Sequence, residues 1–164
     1  MILYLVRHGI AVDRTDPKSP AEPDRPLTAE GVRKTRSAAL GLRELGAKPD
    51  LLITSPYVRA AQTAEIFAEA LGFPLDKIRV SDLLKPAENP AEIVKELLRL
   101  KPKEAVCCGH APHVDGTIAY LCGARVPFTE MKKAGIACLE HVAARGKWTL
   151  LWLASPKNLR KLGD

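Results

Sequence analysis

The chain has 164 residues, of which 46% are hydrophobic and 27% are charged. This length suits one domain with its own core, and no apolar run approaches the roughly 20 residues of a membrane-spanning helix. The net charge of +6 favours acidic or phosphorylated partners, but only 5% of residues are aromatic and the basic residues are scattered, so nucleic-acid binding is not expected.

Short apolar runs alternate along the chain with amphipathic stretches. The first predicted elements are a strand at Ile2–Val6, a proline-rich loop over residues 9–26, a helix from the Thr28 cap to about residue 45, a strand at Leu51–Thr54, a helix from Ser55-Pro56 to Leu71 and a strand at Ile78–Val80. They are followed by a helix that begins at the Asn89 capping box and ends before Pro102, a strand at Ala105–Cys108, a helix from Pro112 to about Cys122, and strands at Gly135–Glu140 and Trp148–Leu153.

This order of elements predicts a three-layer α/β/α sandwich around a mostly parallel mixed sheet. The basic stretch Lys157–Lys161 is interpreted as a solvated tail. The chain starts without the basic leader of a signal peptide. Its four cysteines lack C-x-x-C spacing, which favours reduced core thiols over disulfides or a metal site. We expect one domain over residues 1–164, in the cytoplasm.

Ionisable residues follow three of the predicted strands at their carboxyl ends. Arg7-His8-Gly9 follows the first strand, Arg59 lies in the first turn of the helix after the second, and Gly109-His110 follows the fourth. Because open α/β sheets bind ligands at the carboxyl ends of their strands, we expect these groups to converge. Two arginines and two histidines around one point suit a dianionic phosphoryl group, and N–H groups of the helix near Pro112 would add donors.

Three sequence blocks resemble the histidine phosphatase superfamily, also called phosphoglycerate mutase-like. They are Arg7-His8-Gly9, S-P-x-x-R-A-x-Q-T-A over Ser55–Ala64 and G-H-x-P over Gly109–Pro112, in the order of that family. Flanking blocks at Arg25–Gly31 and Ser155–Leu159, together with the short length, resemble the bacterial phosphohistidine phosphatases of the SixA type. The resemblance covers the whole chain and implies a phosphoglycerate mutase-like fold.

The resemblance also implies a phosphatase without metal or other cofactor, in which His8 takes up the phosphoryl group. Arg7, Arg59 and His110 are then expected to hold the phosphoryl oxygens. Further substrate contacts are expected at Gly9, Arg25 and Ala111, and phosphate or sulfate should occupy the same place. Whether Arg25 reaches the substrate or only solvates its loop is left open.

One stretch departs from the family pattern. Larger members carry a glutamate general acid where this chain reads Asp82-Leu83-Leu84-Lys85-Pro86. An alkoxide needs a proton donor to leave, whereas the imidazole of phosphohistidine leaves with less help, so the departure favours a phosphohistidine protein, such as a histidine phosphotransfer domain, as substrate.

The sequence leaves several alternatives open. The protein could be a phosphatase of small phosphate esters, or a catalytically idle module that binds phosphoproteins. The leaving group receives its proton either from no acid of the protein or from one of five candidates, which are Asp13, Asp16, Asp24, Asp82 and Glu88. His113 is expected either at the rim of the pocket or in solvent.

Overall fold

The computed structural model describes residues 1–163, and its centre is a six-stranded sheet. The strands are β1 (Ile2–Arg7), β2 (Leu51–Thr54), β3 (Arg79–Val80), β4 (Glu104–Gly109), β5 (Ile136–Val142) and β6 (Lys147–Ala154). The helices are α1 (Ala29–Glu44), α2 (Val58–Leu71), α3 (Pro90–Leu100), α4 (His113–Leu121) and α5 (Pro156–Gly163). Every helix in this range is too short or too polar to cross a membrane.

The strand order is β3-β2-β4-β1-β5-β6. The first four of these strands run parallel, while β5 is antiparallel to both of its neighbours. The predicted mixed sheet is therefore confirmed. Its antiparallel part comes from the two last strands, which are joined by a single 3-10 turn at Ala143–Arg145 rather than by an α-helix.

Apolar side chains cover both faces of the sheet and hold a helix layer on each. Alternate residues of β1 point to opposite faces, so Tyr4 and Val6 join one core cluster while Leu3 and Leu5 join the other. The first cluster includes residues of α1, α2 and α5, and the second includes residues of α3 and α4. This arrangement is the expected three-layer α/β/α sandwich.

Two helices begin at the residues that the capping pattern predicts. Thr28 Oγ1 accepts a hydrogen bond from the N–H of Gly31 at 2.9 Å, and Asn89 Oδ1 accepts one from the N–H two residues later at 3.0 Å. The reciprocal half of the predicted capping box is not formed, because Glu92 pairs with Lys95 instead.

Two other predictions near helix ends were wrong. Helix α2 begins at Val58 with Tyr57 as its N-cap. The Ser55 hydroxyl, which was expected to cap it, accepts only a long bond of 3.4 Å from the Tyr57 N–H and contacts His110 at 2.8 Å. The stretch Lys157–Lys161 belongs to α5, which packs on α1 and whose Leu159 is buried in the first core cluster. One buried leucine in a two-turn helix is too weak a periodic signal to reveal the helix in the sequence.

The strand order brings the three motif-bearing strands side by side. Strand β4 lies between β1 and β2, and its register pairs Gly109 with Arg7 and Cys108 with Thr54. Because these three strands are parallel, their carboxyl ends open on the same edge of the sheet. The residues that follow them meet at this edge.

Candidate active site

A cleft of about 740 Å³ opens at the carboxyl edge of the sheet. Its charged lining residues are Arg7, Arg14, Arg25, Arg59, Lys133, Asp13 and Glu22, and the uncharged ones include His8, His110 and Ala111. The excess of positive charge suits an anionic ligand. Within residues 1–163, no three His, Cys, Asp or Glu side chains are arranged to hold a metal ion.

The His8 imidazole is held in one tautomer at the end of β1. Its Nδ1 lies 2.7 Å from the carbonyl oxygen of Gly9, which can only accept, so Nδ1 carries the proton. Nε2 is therefore unprotonated and accepts a hydrogen bond from Arg59 Nε at 3.2 Å. Burial lowers the pKa of His8 to about 3, and the charges of Arg59 and Arg7 act in the same direction. The ring is neutral at neutral pH, with its lone pair toward Arg59.

The backbone after His8 is fixed by Thr63 of α2. The Gly9 N–H donates to Thr63 Oγ1 at 3.0 Å, and that hydroxyl donates to the Arg59 carbonyl at 2.7 Å. A Cβ atom on residue 9 would collide with the Thr35 side chain, so glycine is required here. Since its N–H and carbonyl are both engaged within the protein, Gly9 supports the cleft from behind and does not line it.

The Arg59 side chain is buried, and its guanidinium group contacts a 3-10 turn at Glu22–Asp24. Its Nη1 donates to the Glu22 carbonyl and its Nη2 to Glu22 Oε1, both at 2.8 Å. The same carboxylate accepts from Arg25 Nε at 2.8 Å and from Arg25 Nη2 at 2.9 Å. Arg25 therefore reaches into the cleft. Glu22 was not singled out in the sequence, where its only signal is the three-residue spacing from Arg25.

His110, after β4, lies beside His8 with 5.0 Å between the ring centroids. Its Nε2 is 2.8 Å from Ser55 Oγ, and the Tyr57 ring packs edge-on against it at 5.0 Å. Burial lowers the pKa of His110 to about 2, with His8 and Arg59 adding to the effect. The Nδ1 atom of His110 is buried and has no hydrogen-bond partner within residues 1–163.

The Arg7 side chain is anchored by a segment that precedes β5. Its Nη1 donates to the Met131 carbonyl at 2.6 Å. Asp115 of α4 fixes this segment, because its Oδ1 accepts from the Met131 N–H at 3.0 Å and from the Thr129 hydroxyl at 2.7 Å. Asp115 is 6% exposed and has no sequence signal beyond being an acid in the first turn of a helix.

The acids considered as proton donors are scattered. In the described part of the chain, Asp13 alone among them lines the cleft; Asp16, Asp24, Asp82 and Glu88 do not. Lys85, at the position of the expected glutamate, pairs with Asp82 at 3.0 Å. Hydrogen bonds from its own loop lower the pKa of Asp13, and the hydrogen bond from Arg25 lowers that of Glu22. Both carboxylates of the cleft are ionised at neutral pH.

His113 lies in neither of the two expected places. Its side chain is 3% exposed and does not line the cleft, and neither ring nitrogen has a hydrogen-bond partner within residues 1–163. Burial lowers the pKa of His113. His113 is the first residue of α4, and its side chain is buried in the protein interior.

Sequence comparison agrees with the geometry of the cleft. The family model of the histidine phosphatase superfamily (branch 1) matches residues 3–85. An uncharacterized protein of Picosynechococcus sp. is 36% identical, across 97% of this chain and 99% of its own length. The chain belongs to the histidine phosphatase superfamily. Among relatives in this superfamily, the phosphohistidine phosphatase SixA of Escherichia coli K12 is 29% identical, across 98% of this chain and 97% of SixA.

Solved structures of histidine phosphatases share the whole fold. The protein histidine phosphatase SixA in complex with tungstate matches with a TM-score of 0.86 and 26% identity, covering 97% of this chain and 99% of that one. An Entamoeba histolytica phosphoserine phosphatase mutant in complex with phosphoserine matches with a TM-score of 0.75 at 16% identity, covering 96% and 98% of the two chains. The phosphoglycerate mutase-like fold is confirmed, and membership in the superfamily supports phosphatase activity.

Proposed function

We propose that this protein hydrolyses phosphohistidine on a phosphorylated protein, such as a histidine phosphotransfer domain. The observation that carries the proposal is the His8 tautomer, which keeps the Nε2 lone pair unprotonated beside a buried arginine. Similarity to SixA over nearly the full length supports the same substrate class. The four cysteines are free thiols, which supports a reducing compartment such as the cytoplasm.

The first step is attack of His8 Nε2 on phosphorus. The Nε2–P bond forms as the bond between phosphorus and the substrate imidazole breaks, and Nδ1 keeps its proton through the hydrogen bond to Gly9. Arg7, Arg59 and His110 hold the phosphoryl oxygens, where their fixed donors stabilise the charge of the transition state. Water then attacks phosphorus, breaks the P–Nε2 bond and releases phosphate.

The protonation state of the acids in the cleft indicates which leaving group the site can release. An imidazole that already carries a proton on its other nitrogen departs as a neutral ring, so it needs no acid from the enzyme. An alkoxide does need one, but Asp13 and Glu22 are held ionised by their hydrogen bonds. The stretch 82–88 contributes Pro86 and no carboxylate to the lining. These features support phosphohistidine over an ester.

The experiment compares substrates and variants. A phosphohistidine-bearing phosphotransfer domain and a panel of phosphate esters are each incubated with the wild type, with His8→Ala and with His141→Ala, whose side chain stacks on Trp148 outside the cleft. We expect rapid loss of phosphohistidine with the wild type and His141→Ala, none with His8→Ala, and no effect of EDTA. Acid-labile phosphate trapped on His8 would identify the nucleophile.

A phosphatase of small esters is the second candidate, because a cleft of about 740 Å³ lies in the size range of small-molecule sites. Faster hydrolysis of an ester than of phosphohistidine would favour it and contradict the leading proposal. Phosphoprotein binding without any turnover would instead indicate a binding module.

A further inference from the structure

The Glu22 carboxylate contacts Arg59, which the proposed mechanism assigns to phosphoryl oxygens, and Arg25, which is a further expected substrate contact. Its Oε1 accepts from Arg59 Nη2 at 2.8 Å and from Arg25 Nη2 at 2.9 Å, while Oε2 accepts from Arg25 Nε at 2.8 Å. A carboxylate and a phosphoryl group present similar pairs of oxygens to a guanidinium group. An incoming phosphoryl group and Glu22 therefore compete for the same N–H groups.

Both arginines are held in place by contacts that do not involve this carboxylate. Arg59 is 3% exposed and is fixed by the Glu22 backbone carbonyl, by His8 Nε2 and by packing of its guanidinium 5.1 Å from the Tyr57 ring. Arg25 donates from Nη1 to the Val12 carbonyl at 2.6 Å. Neither arginine needs the Glu22 side chain to stay in the cleft.

The Glu22 side chain is free to leave. It is 49% exposed, whereas the arginines that it bridges are 12% and 3% exposed. Rotation of the side chain toward solvent breaks its contact with Arg59 but leaves the backbone carbonyl bonded to Arg59 Nη1. The turn at Glu22–Asp24 need not move.

We propose that the Glu22 carboxylate occupies the phosphoryl-binding donors of Arg59 and must be displaced by an incoming phosphoryl group. This competition sets the affinity of the cleft for phosphoryl groups. The inference rests on the proposed function, because it takes the arginines as the phosphoryl-binding groups. Displacement selects for ligands that bind the two arginines better than a carboxylate does. A dianion with three oxygens meets that condition, since it offers more charge and more acceptors than Glu22.

The test is calorimetric titration with inorganic phosphate at about pH 7.5, where Glu22 is ionised. Glu22→Gln keeps the size of the side chain and removes the charge. Its matched control is Glu96→Gln, which removes one charge from an exposed pair with Arg99 outside the cleft. We expect Glu22→Gln to lower the Kd for phosphate roughly three- to tenfold, the worth of a half-exposed ion pair, and Glu96→Gln to leave it unchanged.

Equal or weaker phosphate binding by Glu22→Gln would overturn the inference and make Glu22 a group that positions the arginines. The same gain in Glu96→Gln would overturn it too, since net charge would then explain the effect. Measured against Arg59→Ala alone, adding Glu22→Gln should give a smaller gain, because the contact with Arg59 is already lost and only those with Arg25 remain. Phosphate binding requires no turnover, so tighter binding without phosphohistidine hydrolysis would refute the proposed function and leave this inference standing.

Discussion

His8, Arg59 and His110 come from separate parts of the chain, and each is oriented by a hydrogen bond to another residue of the protein. The Gly9 carbonyl sets the His8 tautomer, the Glu22 carbonyl holds Arg59, and the Ser55 hydroxyl holds His110. Such bonds fix the side chains before a ligand arrives, which is the condition for electrostatic stabilisation of a transferring phosphoryl group. Burial keeps both imidazoles neutral, so the cationic charge of the cleft comes from its arginines and Lys133.

Replacing Arg59 by lysine should remove most of the activity while retaining the charge. The three N–H donors of an ammonium group all radiate from one nitrogen and cannot reproduce the planar guanidinium, whose separate nitrogens reach His8 Nε2 and the phosphoryl oxygens in fixed directions. We therefore expect kcat on phosphohistidine to fall about a thousandfold. The control is Arg36→Lys, at an exposed ion pair with Glu69. Single-turnover kinetics measures the effect. A decrease in rate below about threefold would show that the planar arrangement of the guanidinium donors is unimportant.

Replacing His113 by leucine should stabilise the protein most at low pH. The pKa of His113 is lower in the folded protein than its usual value of 6.5, so below pH 6.5 the unfolded chain takes up a proton that the folded chain does not. The contribution of His113 to the free energy of unfolding is therefore fully present above pH 6.5, and it is lost as the pH falls toward the pKa of His113 in the folded protein. Leucine takes up no proton and leaves no buried nitrogen without a partner.

We expect the gain in the free energy of unfolding for His113→Leu to grow by up to about 1.4 kcal/mol for each pH unit below 6.5. Urea unfolding between about pH 7.5 and 5 measures it. A gain that is the same at every pH would mean that His113 takes up its proton equally in the folded and unfolded chains.

At the scale of elements, the carboxyl ends of β1 and β4 and the first turn of α2 supply the phosphoryl-binding groups, and neighbouring segments hold them. Helix α2 contributes Thr63 to the turn after His8, and α4 contributes Asp115 to the segment that anchors Arg7. These contacts are made by the backbone or by short side chains, which limits the movement of the arginines and His8. The geometry of the cleft thus depends on helices that carry no reacting atom.

Asp115 gives a direct test of this support. In Asp115→Ala the segment with Met131 loses the acceptor of two hydrogen bonds, and Arg7 loses a fixed anchor. We expect kcat/KM to fall about tenfold or more, because small misplacements of a binding group are costly. Asp115→Asn keeps the Oδ1 acceptor and should restore most of the activity.

Steady-state kinetics and urea unfolding on both Asp115 variants separate positioning from general stability. If Asp115→Asn loses as much activity as Asp115→Ala, the charge matters and not the acceptor. If the two variants lose the same stability but differ in kcat/KM, the hydrogen bonds to the 129–131 segment act on Arg7.

At the scale of the molecule, the last helix closes one face of the sandwich. Helix α5 packs on α1, where a side chain at Gly41 would collide with the backbone of Leu159, so the two helices approach closely. Leu159 is 1% exposed and belongs to the core cluster that also contains Phe67 and Val106. Helix α5 therefore contributes to the core although half of its eight residues are basic or polar.

Leu159→Ala should destabilise the fold without altering the cleft. We expect the free energy of unfolding to fall by about 2–4 kcal/mol, from lost burial and the cavity left behind. Leu162→Ala, in the same helix but 48% exposed, should cost less than about 0.5 kcal/mol. Chemical denaturation measures both. Unchanged kcat/KM below the melting temperature is expected, and equal effects of the two variants would show that α5 does not dock as described.

Much of the site follows from local signals in the sequence. Arg7-His8 follows an apolar run, Arg59 lies in a first helical turn, and His110 stands between a strand and a helix. Each can be placed from its immediate neighbours, because strand and helix ends depend on periodicity and capping. Glu22 and Asp115 could not be placed in this way, since they act on residues 37 and 16 positions away.

By itself, the sequence determined the alternation of strands and helices, and which ionisable residues stand at the carboxyl ends of β1 and β4 and in the first turn after β2. These features depend on residue types and their spacing over a few turns. Only the tertiary structure decided that β4 lies between β1 and β2 and that the ring centroids of His8 and His110 are 5.0 Å apart. It also decided that the Glu22 carboxylate accepts a hydrogen bond from Arg59. Contacts between distant segments depend on how the whole sheet packs, because the register and order of strands are set by all of their neighbours together.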